Sequence, residues 1–185
     1  TRVTDAGMHH LSSLNLGHLC LARTRITDTG VMHLKKLPLK HLNLSLTAVG
    51  SSRLLHLKDV QLTRLQLSRC VNVLDLSPLT TMPLEHLNIS GCINIRNHGF
   101  VPLLTLPLEY LNISGCNGLI PLMGKNLIQI PSLNYVDMSL CVNIPYNMNL
   151  NGRRKNGVNR GSRMWKLGAN LYQIYQKTAT KGDNS

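Results

Sequence analysis

Side chains able to make polar contacts recur along this chain at nearly constant spacing. His18, His41, Arg64, His86, Tyr110 and Tyr135 follow one another at steps of 23, 23, 22, 24 and 25 residues. Two positions after each stand Cys20, Asn43, Gln66, Asn88, Asn112 and Asp137. An edge of imidazole, guanidinium and phenol groups beside a row of amides offers cationic and amphipathic contacts, of the kind enriched where proteins meet. It offers little for bond-making chemistry. Asp137 is the best lone carboxylate, and no basic or nucleophilic partner stands near it in the sequence. Each of these positions also fits a plainer reading, a solvated strand residue copied by duplication.

Other chemistry-bearing residues follow the same period. Thr24, Thr47, Cys70, Cys92, Cys116 and Cys141 form one column, in which Thr and Cys exchange freely. That exchange argues for small buried groups rather than obligatory disulfides, and for a reducing compartment. His10, His33 and His56 form a column nine residues before each Leu-x-Leu pair. A flat row lacks the geometry of a metal ligand set, and no Cys-x-x-Cys or His-Glu-x-x-His spacing accompanies it. No Gly-x-Ser-x-Gly, phosphate-binding lysine loop or dinucleotide fingerprint is present, so neither catalysis nor a cofactor is expected. The sequons at Asn43, Asn88 and Asn112 fall at equivalent positions, which the period explains without glycosylation.

The elements that position these groups are legible in the apolar residues between them. Leu19/Leu21, Leu42/Leu44, Leu65/Leu67, Leu87/Ile89, Leu111/Ile113 and Val136/Met138 alternate with the polar columns, the period-two pattern of a strand buried on one face. Leu16, Leu39, Leu62, Leu84, Leu108 and Leu133 extend the inward set. After each strand the Thr or Cys stands where backbone groups leaving the sheet need partners. Thr27-Asp28 before Val31, Leu34 and Leu37 predicts a capped helix of about two turns on the return path. Asp5 and Asp28 are read as caps. Asp75-Leu76-Ser77-Pro78 predicts a turn or 3₁₀ segment instead. Pro38, Pro83, Pro107 and Pro131 end four of the return paths, just before the next strand.

A period of about 20 to 29 residues with this pattern is that of leucine-rich repeats. The expected fold is an α/β solenoid: a curved stack of about six repeats, a parallel sheet on its concave face, and short helices or 3₁₀ turns on its convex face. The segments Leu84-Glu85-His86-Leu87-Asn88-Ile89-Ser90-Gly91-Cys92 and Leu108-Glu109-Tyr110-Leu111-Asn112-Ile113-Ser114-Gly115-Cys116 resemble the cysteine-containing repeats of F-box proteins. The Thr-Asp-x-Gly segments resemble the threonine-type repeats of the ribonuclease-inhibitor-like superfamily. The resemblance covers about residues 1–146. It implies recognition of a protein partner, often to present it for ubiquitination, with a ligase adaptor engaged through a region preceding Thr1.

The chain opens in mid-period, since Thr1-Arg2-Val3-Thr4-Asp5-Ala6-Gly7 repeats as Thr24-Arg25-Ile26-Thr27-Asp28-Thr29-Gly30, and a fragment of a longer protein is expected. No stretch approaches the ~20 apolar residues of a membrane span, so no membrane partner and an intracellular location, cytoplasmic or nuclear, are expected. From about residue 147 the period stops. Residues 147–185 carry eight Lys/Arg against Asp183 alone, +7 of the chain's +12. Arg153, Arg154, Lys155, Arg160 and Arg163 in this Gly/Asn-rich tail could bind nucleic acid or an acidic partner by charge. A flexible tail is expected, with Trp165, Leu167, Leu171, Ile174 and Tyr175 at the spacing of a short capping helix.

Overall fold

The computed structural model describes residues 3–127 and 129–144, together with the backbone of two short strands, Arg153–Arg154 and Met164–Lys166. Six three-residue strands, β1 (His18–Cys20), β2 (His41–Asn43), β3 (Arg64–Gln66), β4 (His86–Asn88), β5 (Tyr110–Asn112) and β6 (Tyr135–Asp137), lie in chain order in one parallel sheet. Each is one sequence period from the next. The arrangement is of α/β class and solenoid-like: an all-parallel sheet with short helices between its strands.

The register follows from the alternation of burial. His18 pairs with His41, His41 with Arg64, Arg64 with His86, His86 with Tyr110, and Tyr110 with Tyr135. The central residue of each strand faces in, and Leu42, Leu65, Leu87, Leu111 and Val136 are buried while Leu19 is partly so. Leu44, Leu67, Ile89, Ile113 and Met138 are likewise buried. A slip of one residue would turn this whole apolar row to water, at roughly 1.5–3 kcal/mol for each large side chain.

Helices α1 (Asp28–Val31), α2 (Ser51–Leu54) and α3 (Pro121–Leu127) are short. The expected two-turn helix after Thr27 is one α-turn continued by a 3₁₀ turn, Met32–Leu34, and α2 continues in the same way through Leu55–Leu57. The reason lies in the spacing of the buried residues. Val31, Leu34 and Leu37 recur every third position, as do Leu54, Leu57 and Val60, and Leu76, Leu79 and Met82. Three residues per turn keeps such a set in line, whereas 3.6 would rotate it off the core. The 3₁₀ alternative expected beside Pro78 is present as Ser77–Leu79, and a longer 3₁₀ segment, Asn97–Thr105, carries the buried Phe100 and Leu103.

Caps on the return path connect neighbouring periods. Thr27 Oγ1 accepts from the Thr29 amide at 3.3 Å, within its own turn. Asp5 does not cap its own 3₁₀ segment, Asp5–Leu11; its Oδ1 accepts from the Thr27 amide at 2.9 Å, 22 residues on. Asp28 Oδ1 accepts from Gly50 at 2.8 Å in the same sense, and Ser51 Oγ accepts from Leu74 and Asp75. These groups satisfy the free amides of the following period's turn.

Beyond β6 the sheet changes direction. Strand β7 (Arg153–Arg154) and strand β8 (Met164–Lys166) extend it in the order β6-β8-β7, with β8 antiparallel to β6 and Val136 opposite Trp165. Trp165, first residue of the expected helical spacing, thus stands in a strand. Leu167, Leu171, Ile174 and Tyr175 lie outside the described residues. No helix among the described residues is long and apolar enough to cross a membrane.

Candidate functional site

The parallel register aligns the polar columns on the outward face. The outer column is His18 and Arg64, exposed, and His41, His86, Tyr110 and Tyr135, half-buried. The imidazoles of His18 and His41 stack with ring centroids 4.0 Å apart and planes 10° from parallel. His86 and Tyr110 stack more loosely at 6.0 Å, and His86 Nδ1 is enclosed without a hydrogen-bond partner. Across β1 to β3 these groups form an open trough of roughly 380 Å³, lined by His18, Cys20, His41, Asn43, Arg64 and Gln66.

Electrostatics at the trough disfavour a positive charge on its central imidazole. Partial burial, followed by the neighbouring charges of His18, Arg64 and His86, holds the His41 imidazolium below its ordinary range. A stacked pair of parallel rings cannot direct two nitrogens at one ion. Among the described residues no three His, Cys, Asp or Glu side chains come together so as to hold a metal, and this covers His10, His33 and His56.

The inner column has a second task that its spacing did not reveal. Asn43 Oδ1 accepts from the Ser45 amide at 2.9 Å, and Asn88 and Asn112 accept from Ser90 and Ser114, each at 3.0 Å. Asp137 repeats the bond to Ser139 at 2.9 Å. Each is an Asx-turn that closes the strand end. The amide oxygen is thereby committed to the backbone, leaving the –NH₂ end of each Asn as the group available for contact. Gln66, one methylene longer, interrupts the row.

Alternation places the serines beside that row on the outward side of the backbone, but Ser45 and Ser139 are buried, at 8% exposure each. Ser45 Oγ accepts from the Ser68 amide at 3.1 Å, Ser68 Oγ donates to Asn88 Oδ1 at 2.9 Å, and Ser90 Oγ donates to Ser68 Oγ at 3.0 Å. They brace one strand end against the next instead of facing a partner.

The Thr/Cys column turns inward and splits in two. Thr24 and Thr47 donate to the carbonyls of Leu21 and Leu44, three residues back, both at 2.6 Å. The thiols of Cys70, Cys92, Cys116 and Cys141 reach a whole period back, to the carbonyls of Leu44, Leu67, Ile89 and Ile113, at 3.0–3.1 Å. None of the five cysteines forms a disulfide, and only Cys20 is exposed.

No family model matches this chain, and no curated protein matches it.

One column escaped sequence reasoning altogether. Four residues after the first member of each apolar pair the backbone is left-handed: Arg23, Leu46, Arg69 and Leu140 have φ of 57–59°, and Gly91 and Gly115 have 68° and 69°. Gly adopts this conformation freely and the others do so at a cost of about 1 kcal/mol or more each. Two glycines a period apart were the available clue, masked by the bulky residues that share their position. This rim carries Arg23, Leu46 and Arg69, all exposed, beside the trough.

Of the tail residues, Arg153 and Arg154 form β7, paired through β8 to β6. Lys155, Arg160 and Arg163 lie outside the described residues.

Proposed function

We propose that this chain is a non-catalytic leucine-rich-repeat module that binds a protein partner on the concave, outward face of its sheet. The assembly it fits is the substrate-recognition part of an intracellular ubiquitin ligase. What supports the repeat assignment is the pairing of three-residue strands one period apart, with a thiol ladder tying each period to the last. A stack of such layers carrying an inner sheet and outer 3₁₀ turns would curve toward the sheet.

The single observation that carries the binding reading is the unbroken outer column from His18 to Tyr135, in register across six strands. It presents imidazole, guanidinium and phenol groups over a face otherwise fixed by backbone-directed Asn and Ser. Residues of these types dominate protein interfaces because they combine apolar area with a polar tip. The test combines affinity capture from a cell extract with reconstitution from the purified captured protein. Changing His41, Arg64, His86 and Tyr110 together to Ala should abolish the complex while leaving the circular dichroism spectrum intact. Retention of the complex would move the site off this face.

A second reading is charge-driven binding of nucleic acid or an acidic partner through the tail. It is favoured by the pairing of β7 and β8 onto the β6 edge, which brings the Arg153–Arg154 backbone beside the sheet. Exchanging Arg153, Arg154, Lys155, Arg160 and Arg163 for Gln should then remove binding to a single-stranded RNA. An affinity indifferent to salt would argue against this reading.

A further inference from the structure

Charge along the chain is divided sharply between its halves. Residues 17–70, which contain β1 to β3, carry nine Lys/Arg against Asp28 and Asp59 alone. Residues 71–144, which contain β4 to β6, carry Arg96 and Lys125 against four acidic residues. The outward columns repeat this division. His18, His41 and Arg64 line the first three strands, and the only carboxylate in either column is Asp137 on the last.

The left-handed rim adds a second, independent asymmetry. Gly91 and Gly115 have the residue this backbone favours and the last period holds Leu140, whereas the equivalent positions beside the trough hold Arg23, Leu46 and Arg69, so the rim's cations stand beside β1 to β3. Each of these side chains is kept at a point where its removal to Gly would relieve the backbone. All three are exposed, and Arg69 Cγ lies over Gly91 of the next period. A cation, an apolar group and a cation thus run parallel to the His, His and Arg of the trough.

Resting on the docking-face reading above, we propose that β1 to β3 and their rim dock an acidic, amphipathic helical segment of a protein partner. Its carboxylates run along His18, His41 and Arg64, and its flank lies on Arg23, Leu46 and Arg69. Spacing selects a helix: neighbouring strands are about 4.8 Å apart, and residues i and i+4 of a helix stand about 5–6 Å apart. An extended peptide repeats its same-face side chains at about 6.6–6.8 Å and falls out of step after two strands. Leu46 in the middle of the rim selects an amphipathic helix over a uniform polyanion such as nucleic acid, which has no apolar group to offer it.

The probe is a synthetic helical peptide of about three turns with Glu along one stripe and a Leu on its flank. Its counterpart has Gln for Glu, and binding to the full chain is followed by fluorescence anisotropy. The Glu peptide should bind with an affinity that falls with salt, and the Gln peptide should bind about tenfold more weakly or worse. The double variant Arg23→Gly/Arg69→Gly should lose about tenfold in affinity for the Glu peptide with its circular dichroism spectrum retained. Arg153→Gln/Arg154→Gln should leave that affinity within about twofold.

Equal binding of the Glu and Gln peptides, or a Gly double variant that binds as the parent does, overturns the proposal. So does loss of binding in the Arg153/Arg154 variant, or a single-stranded RNA that binds more tightly than the Glu peptide through Arg23 and Arg69. If only the acidic segment fails, the captured partner will still depend on His86 and Tyr110 and the docking face survives. If that dependence is absent too, both readings fall.

Discussion

The thiol of Cys70 lies 3.1 Å from the carbonyl oxygen of Leu44, one sequence period back, and Thr47 donates to the same oxygen from 2.6 Å. A single acceptor therefore joins the last Thr-type turn to the first Cys-type turn. From Cys70 onward, every thiol in the column ties its turn to the strand before it. Burial pushes the Cys92 thiol up to about 12 and that of Cys116 higher still, since a thiolate there would be desolvated. The native protein should thus take up iodoacetamide at Cys20 alone, and at all five cysteines once unfolded in urea. Mass spectrometry of alkylated peptides reads this directly. Native labelling at Cys92 or Cys116 would mean that the ladder opens.

The Asx-turns separate folding from recognition at the inner column. Asn112 Oδ1 accepts from the Ser114 amide at 3.0 Å and from Ser114 Oγ at 2.8 Å. Asn112→Asp keeps that acceptor, as Asp137 does naturally, and should hold urea stability to within about 0.5 kcal/mol. Asn112→Ala should lose about 1 kcal/mol. Equal losses in the two variants would remove the turn from the account.

Acidification acts on this face with two opposite signs. Partial burial, then the charges of His18 on β1 and Arg64 on β3 beside it and of His86 on β4 two strands away, disfavour the protonated form of His41. The unfolded chain then takes up this proton first, at the ordinary value of about 6.5. Stability is full above that value and falls as pH drops toward the lower native one. Urea midpoints should decline between neutral pH and about pH 5, and His41→Gln should flatten the decline. A bound carboxylate favours the same imidazolium, so the affinity for the acidic peptide should rise over the range in which stability falls. Both curves come from one pH series. Parallel slopes would show that His41 does not govern both.

Close approach between periods is tightest at Gly118, where a Cβ would stand on the carbonyl of Ile95. Gly118→Ala should destabilise by about 1–3 kcal/mol through overpacking. Gly7→Ala, which meets nothing within 4 Å, should be neutral or slightly stabilising. Denaturant titrations of the two variants provide the comparison, and equal midpoints would refute the contact.

Strand positions and their parallel order were legible because two periods coincide. Alternation sets the face on which Leu42 and Leu65 lie, and the 22 to 25 residue spacing sets which residues align. The return path was legible in part: Thr27 caps an α-turn as expected, but the three-residue spacing of Val31, Leu34 and Leu37 continues it as a 3₁₀ turn in place of a second α-turn. At Ser45 and Asn43 the alternation pointed outward correctly for the backbone. It could not reveal that short polar side chains fold back onto the strand end. The rim was hidden by chemistry unlike its conformation: Arg and Leu do not advertise a left-handed backbone as Gly91 does.

That rim also makes the molecule rewritable. Its six positions recur once per period, stand outside the buried Leu rows, and already tolerate Arg, Leu and Gly at one and the same backbone geometry. Exchanges among them alter what the edge of the sheet displays while leaving the strand register and the thiol ladder untouched. Six addresses in a line could therefore be reassigned to redirect the protein toward a new partner, with Gly serving as the blank.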